Sequence, residues 1–302
     1  MEIIKIKPQG LCMGVAKAIN IINKAINDPH IPRPLYMLGH LVHNKNIVNA
    51  FKQKGIIVLE GETRTEMLAS IESGTVIFTA HGVSDNLYQQ AQLKGLHIVD
   101  ATCRYVAKTH QLISLKKSQG YQVYFYGVTN HPETEGVLGL SDDIILITKE
   151  SNLNEVFRSP NPKAILTTQT TMSYLDVLDL YQRLRIFIPQ LELGEEVCSA
   201  TRARQTAIMD YKNQIDLLIV VGDPNSNNTK MLKNVGENKA HLPTLFLENI
   251  EGLNGLNLSN YQRIGITAGA STPDVIVEEI IAGLKQAQTI FKSNLQLDDY
   301  LK

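Results

Sequence analysis

The chain has 302 residues, 43% hydrophobic and 20% charged, with a net charge of −1, values that fit a globular protein of about two compact domains or three small ones. The near-neutral balance provides no basic field, which argues against nucleic acid as a partner. No apolar run approaches the roughly 20 residues of a membrane span, and the opening "MEIIKIKPQGLCMG" has no apolar leader, so a cytoplasmic protein free of membrane is expected.

In chain order, "AKAINIINKAI" predicts a helix from apolar residues at i, i+3 and i+4, and "TVIFTA" a strand. "VAKTHQLISLKK" predicts a second helix, followed by strands at "YQVYFYG" and "AILTTQ". A helix at "YLDVLDLYQRLRIFI", strands at "DLLIVVG" and "RIGITAG", and a helix at "VIVEEIIAGLKQA" complete the pattern. Short apolar strands alternating with helices predict parallel α/β architecture, with binding loops at the carboxyl ends of the strands. Tyrosines lie mostly within these elements and read as packing residues.

The three cysteines, Cys12, Cys103 and Cys198, are too few and too far apart for a disulfide framework, a CxxC motif or a zinc ribbon. They lie roughly 90 to 95 residues apart, and each opens a predicted helix. Downstream of each comes a strand ending in glycine with a polar residue four positions later: Gly39 and His43, Gly127 and His131, Gly222 and Ser226. A further strand then ends in a threonine-led polar loop, from Thr79, Thr168 and Thr267. Three elements in matching order, three times, predict three copies of one α/β module: residues 1–101, 102–196 and 197–302. The N-terminal segment is expected near the centre and a C-terminal tail follows the third copy. Each module is small for independent stability, and packing around a pseudo-threefold axis would bring the three cysteines and six loops to one centre.

Three sulfurs at helix starts, where free N–H groups favour an anionic ligand, suit a metal or a cluster. Zinc with an open fourth position and an iron–sulfur cluster with one iron left open both remain compatible with the spacing. The loops supply His43, His81, His131, Thr170, Thr171, Ser226, Asn228 and Ser271. Imidazole, hydroxyl and amide donors without a lysine or arginine cluster suit a compact anion such as a diphosphate. Helix starts after "HGVS" and "STPD" would add backbone donors, although Ser84 also reads as a plain N-cap. Glu133 in "NHPETEG" is the loop carboxylate with an imidazole two residues back, read either as a solvated glutamate or as a proton donor to a poor leaving group.

The order "GLCMGV", "LVHNK", "TAHGVS", "DATC", "NHPETEG", "TQTT", "NSNNT", "TAGASTPD" resembles the 4-hydroxy-3-methylbut-2-enyl diphosphate reductases, the IspH/LytB family, along essentially the whole chain. The resemblance implies a trefoil of three α/β modules around a 4Fe–4S cluster held by Cys12, Cys103 and Cys198. It implies that His43, His81, Ser226, Asn227, Asn228 and Ser271 bind the substrate diphosphate, with His131 and Thr170 contacting the substrate. Substrate hydroxyl would meet the open iron, with Glu133 and Thr170 delivering the proton. The implied reaction is a two-electron, two-proton loss of the allylic hydroxyl, giving isopentenyl and dimethylallyl diphosphates at the last step of the methylerythritol phosphate route. With no G-x-G-x-x-G nucleotide fingerprint in the chain, electrons would come from outside, from ferredoxin or flavodoxin.

Several residues depart from the family pattern. Arg104 stands where proline is usual after the cysteine, bringing a cation expected to raise the cluster's potential. Asn227 replaces a serine, Arg202 enters after Cys198, and "GVTNHPE" lacks an earlier histidine. None removes a predicted ligand or the proton donor, and together they mark a divergent member. An iron–sulfur hydro-lyase acting without net reduction, and a non-enzymatic metal-binding module, are the competing readings.

Overall fold

The computed structural model describes residues 1–157, 160–194, 197–286 and 290–301. Strand and helix alternate almost throughout. The chain begins with β1 (Glu2–Lys5), α1 (Met13–Asn27), β2 (Leu35–Leu38), α2 (Lys45–Gln53), β3 (Ile56–Leu59), α3 (Arg64–Ala69), β4 (Thr75–Phe78), α4 (Asp85–Leu93) and β5 (His97–Asp100). It continues with α5 (Arg104–Ser118), β6 (Gln122–Tyr126), α6 (Pro132–Leu138), β7 (Ile145–Ile147), α7 (Leu153–Val156), β8 (Ala164–Thr168), α8 (Tyr174–Leu184) and β9 (Glu192–Leu193). The last part holds α9 (Ser199–Tyr211), β10 (Leu217–Val221), α10 (Asn227–Asn234), β11 (Thr244–Leu247), β12 (Arg263–Ala268) and α11 (Asp274–Leu284).

The strands form three four-stranded sheets in the orders β3-β2-β4-β5, β7-β6-β8-β9 and β11-β10-β12-β1. Every pairing is parallel. The α/β class is therefore as expected, and the three orders are one order repeated. In the third sheet the outer place held by β5 and β9 is filled by β1, the first strand of the chain. The repeat is circularly permuted: each cysteine follows the fourth strand of a sheet and precedes the helix leading to the next repeat.

β6 shows why these strands read as nearly continuous apolar runs. Val123 and Phe125 enter one buried cluster with Ile113 and Ile165, while Tyr124 and Tyr126 enter another with Leu166, Val177 and Leu184. A parallel strand covered on both faces has no solvent side to alternate with. Similar cores form around Val76 and Phe78 of β4 and around Leu218 and Val220 of β10.

One helix is shorter than its periodicity predicts. α8 ends at Leu184 rather than running through Ile188, because Pro189 follows and disfavours helical backbone in the residue before it. Phe187 and Ile188 still join the core beyond the helix end. The last predicted residue of α11, Ala287, and the expected module boundary at 196 lie outside the described residues.

The described chain forms two compact units, one from Met1–Ala16, Val42–Gly55 and Ser199–Lys302, the other from Lys17–Leu41 and Ile56–Cys198. The first contains the sheet with β1, the second the other two sheets. Within the first unit a 3-10 turn at Leu297–Leu301 packs on α2, pinned by Lys54 Nζ to Asp298 at 2.8 Å. Among the described residues no helix is long and apolar enough to cross a membrane.

Candidate active site

The three cysteines occupy equivalent backbone positions. Each immediately precedes a helix: α1, α5 and α9. Each donates its N–H to the carbonyl two residues beyond the third strand of its own sheet: Cys12 to Ala270 at 3.0 Å, Cys103 to Ala80 at 3.0 Å, Cys198 to Thr170 at 3.3 Å. All three are partly exposed and none is in a disulfide. The sulfur of Cys12 accepts the N–H of Val15 at 3.4 Å, a helix-start contact suited to a sulfur ligand. Half-buried thiols outside any disulfide and anchored alike by the fold are a donor set that fits an iron–sulfur group.

The residues next to those three carbonyls are His81, Thr171 and Ser271, so the threonine-led loops are equivalent at their polar positions too. In the first unit, Ser226 precedes α10 and Ser271 follows β12. Both are buried, with their hydroxyl oxygens 3.2 Å apart. Asn44, the N-cap of α2 beside His43, donates its side-chain amide to the Ser271 carbonyl at 2.9 Å. The Thr201 hydroxyl donates to Oδ1 of Asn228 at 3.1 Å, which leaves Nδ2 as the side of that amide able to donate elsewhere. Asn227 is buried in the first turn of α10. Hydroxyls and amides gathered at a helix start form a neutral donor surface for a compact anion.

In the second unit, Glu133 is no loop glutamate. It is the second residue of α6 and only 1% exposed. Its two carboxylate oxygens accept from Thr170, one from the N–H at 2.7 Å and one from the hydroxyl at 2.9 Å. Burial pushes its pKa up to about 7, against the opposing pull of the two Thr170 hydrogen bonds. Thr170 also accepts the N–H of Cys198, so one residue joins the carboxyl to a cysteine backbone. His131 caps α6, its Nδ1 accepting the Glu133 N–H at 3.1 Å. That contact places the proton of the neutral imidazole on Nε2. The His81 ring meets His131 edge to face at 5.4 Å, and its Nδ1 lies 3.3 Å from the Thr79 hydroxyl.

Ser84 takes the plain reading: it caps α4, accepting the Leu87 N–H at 3.3 Å. Arg104 is exposed and turned onto its neighbour, 5.0 Å from the Tyr105 ring centroid, donating to the Tyr105 hydroxyl at 3.3 Å. Two supporting residues were not singled out by the sequence. Buried Gln169 accepts from Val128 N–H at 2.9 Å and donates to the Thr171 hydroxyl at 2.7 Å, tying the loops after β6 and β8. Buried Arg204 donates to the Gly10 carbonyl at 2.7 Å, fixing the approach to Cys12. The run "TQTT" and an arginine six residues past Cys198 were visible, but only burial gives them these roles.

Comparison with known proteins identifies relatives along nearly the whole chain. Residues 3–285 match the model of the family described as LytB protein. A 4-hydroxy-3-methylbut-2-enyl diphosphate reductase of Bacillus cereus (strain AH820) is 43% identical over 95% of this chain and 90% of its own length. One from Bacillus cytotoxicus is 44% identical over 95% and 91%. Among solved structures, the E-1-hydroxy-2-methyl-but-2-enyl-4-diphosphate reductase of Plasmodium falciparum superposes with a TM-score of 0.84 at 28% identity, covering 95% of this chain and 89% of that one. A structure of (E)-4-hydroxy-3-methyl-but-2-enyl diphosphate reductase, described as the terminal enzyme of the non-mevalonate pathway, gives 0.65 at 28% identity over 94% and 99%. With matching topology, equivalent cysteines and nearly full-length similarity, this chain belongs to the LytB family.

Proposed function

We propose that the protein is an iron–sulfur oxidoreductase that reduces (E)-4-hydroxy-3-methylbut-2-enyl diphosphate to isopentenyl and dimethylallyl diphosphates, the last step of the methylerythritol phosphate route. Membership of the LytB family supports the substrate and the iron–sulfur character. The observation that carries the reading is Glu133: a fully buried carboxyl, held by Thr170 and raised to about 7.

Cys12, Cys103 and Cys198 would hold a 4Fe–4S cluster with one iron left for substrate, and that group would supply electrons and Lewis acidity. The chain's own residues do the rest. Ser226, Ser271, Asn227, Asn228, His43 and His81 receive the diphosphate with donors that carry little fixed charge of their own. His131 offers Nε2–H to the substrate while Nδ1 stays committed to the α6 cap. Glu133, retaining its proton near neutral pH, gives it to the departing hydroxyl, which leaves as water; hydroxide unassisted is a poor leaving group. The Thr170 hydroxyl, bonded to Glu133, orients that proton. The external donor is expected to be ferredoxin or flavodoxin, and the three repeats divide the chain at 1–101, 102–196 and 197–302, except that β1 crosses over to complete the third sheet.

The test is anaerobic reconstitution followed by assay with the hydroxylated diphosphate, with and without reduced ferredoxin. Conversion only with reductant supports the reading. Conversion without reductant would make the protein a hydro-lyase, and a colourless zinc-loaded protein would make it a metal-binding module.

A further inference from the structure

We propose that Arg64 is a positioning residue for this reaction, clamping the loop that carries His81 to the helix that carries Glu133. Its importance for turnover rests on the reductase reading; the clamp itself does not.

Arg64 is the first residue of α3 and is 4% exposed. Its guanidinium donates to the carbonyl of Gly82, the residue after His81. Its backbone N–H donates to Oε1 of Glu135 at 3.1 Å, and its Nε lies 3.9 Å from Oε2 of the same carboxylate. Glu135 is on α6, two residues past Glu133 and four past His131. One buried residue thus joins two elements that each carry proposed substrate contacts, through two partners that are not themselves substrate groups. Its guanidinium bonds the loop, and its backbone N–H, with a looser Nε ion pair, holds α6.

The surroundings leave that loop little alternative path. Gly82 has φ +71°, and a Cβ there would sit 2.9 Å from Val106 and 3.4 Å from His110, both on α5. A Cβ on Gly136 of α6 would lie 3.4 Å from the Gly82 carbonyl oxygen and 3.5 Å from His110. Loop, α5 and α6 therefore meet at backbone distance. Burial, with Arg64 nearby, holds the His110 imidazole below its ordinary range against the pull of Asp85 and Asp100, and burial lowers the Arg64 guanidinium itself to about 10 against Glu135. A buried guanidinium is costly unless its forked donors are matched; lysine, a point donor, cannot span the carbonyl and the carboxylate together.

The test compares Arg64→Lys and Glu135→Gln with the parent as cluster-loaded protein. Glu135→Gln guards against a misfolded Arg64 variant, since it keeps the guanidinium and its Gly82 contact. Amide hydrogen exchange reads the clamp whether or not the substrate is correctly identified. Exchange in residues 80–84 and 133–138 is expected to quicken about tenfold in Arg64→Lys, while β10 and β12 stay as in the parent. If the parent turns over the hydroxylated diphosphate, Arg64→Lys should lower kcat about tenfold and raise KM several-fold, with an unchanged cluster absorption spectrum. Glu135→Gln should shift both in the same direction by less. A parent without activity but with locally quickened exchange in the variants would sink the reductase reading and keep the clamp. Exchange unchanged in both variants, or quickened uniformly through the chain, would overturn the clamp.

Discussion

The two units supply opposite kinds of chemistry. In the first, Ser226, Ser271 and Asn228 are neutral groups whose bonds run to one another and to Thr201, a donor surface with no charge of its own. In the second, Glu133 is an ionisable group sealed from water and raised to about 7, a carboxyl that holds its proton near neutral pH. The same repeat topology produces both. Positions 131 and 226 are equivalent helix caps, yet His131 leads into Pro132-Glu133 and Ser226 into Asn227-Asn228. Side-chain choice in the first helical turn, rather than backbone, separates a neutral donor surface from a buried carboxyl.

The largest expected effect breaks the second side of this contrast. Glu133→Gln keeps the shape, accepting the Thr170 N–H through its carbonyl oxygen and donating its amide N–H to the Thr170 hydroxyl oxygen in place of the present O–H···O bond, but has no acidic proton to give. Turnover should fall on the order of 10² to 10⁴-fold while substrate affinity, measured by calorimetry on the oxidised protein, stays near that of the parent. Retained turnover would remove Glu133 from the proton path. In the parent, kcat should decline above about pH 7 as the carboxyl ionises; a profile flat to pH 9 would oppose the assignment.

The same carboxyl leaves a mark on stability. Between its ordinary 4.5 and its raised value of about 7, the folded protein keeps a proton that the unfolded chain has released. Stability from this group is therefore fully present below about pH 4.5 and is lost as pH rises through 7, by on the order of 3 kcal/mol. Glu133→Gln stays neutral throughout, so its urea midpoint should vary less over this window than the parent's. Equal pH dependence in the two proteins would mean that burial does not hold the proton.

Much of this was legible in the sequence because the repeat is carried by local chemistry. Cysteine before a helix, glycine at a strand end and threonine-led loops are short-range signals, and β4, β6, β8, β10 and β12 are apolar enough to stand out. β1 was not placed, since a four-residue strand joins β12 across most of the chain and no local pattern records that pairing. Glu133 was legible as a candidate but not as a buried one; its environment comes from Thr170, far along the sequence. Arg64 was invisible for the same reason, an arginine in a polar run "GETRTE" whose partners lie on other elements. Arg104 is legible in the sequence as a charge beside Cys103, but the direction of its side chain, set by Tyr105, is not.

A smaller effect tests the binding side. Ser226→Ala and Ser271→Ala should each raise KM about tenfold, the scale of one hydrogen bond to a charged group, with kcat little changed. Because the two hydroxyls touch, the double variant should lose less than the product of the single losses. Strict additivity would mean that they do not act on one anion.

The smallest effect concerns Arg104→Pro. Proline is well tolerated in the first position of a helix, where no backbone N–H bond is lost, and Arg104 is the first residue of α5, so the fold should be kept. A cation beside Cys103 raises a reduction potential only if its charge faces the sulfur through poorly screening surroundings. Here the guanidinium lies over the Tyr105 ring and bonds its hydroxyl, on an exposed side chain that salt screens well. The expected shift in potential is therefore well below the ~59 mV of a tenfold one-electron change, with activity within about twofold. A larger drop, measured by spectroelectrochemical titration of the reconstituted variant, would show that Arg104 leaves Tyr105 and faces the cluster in solution, restoring to this departure the electrostatic role that its position in the sequence suggests.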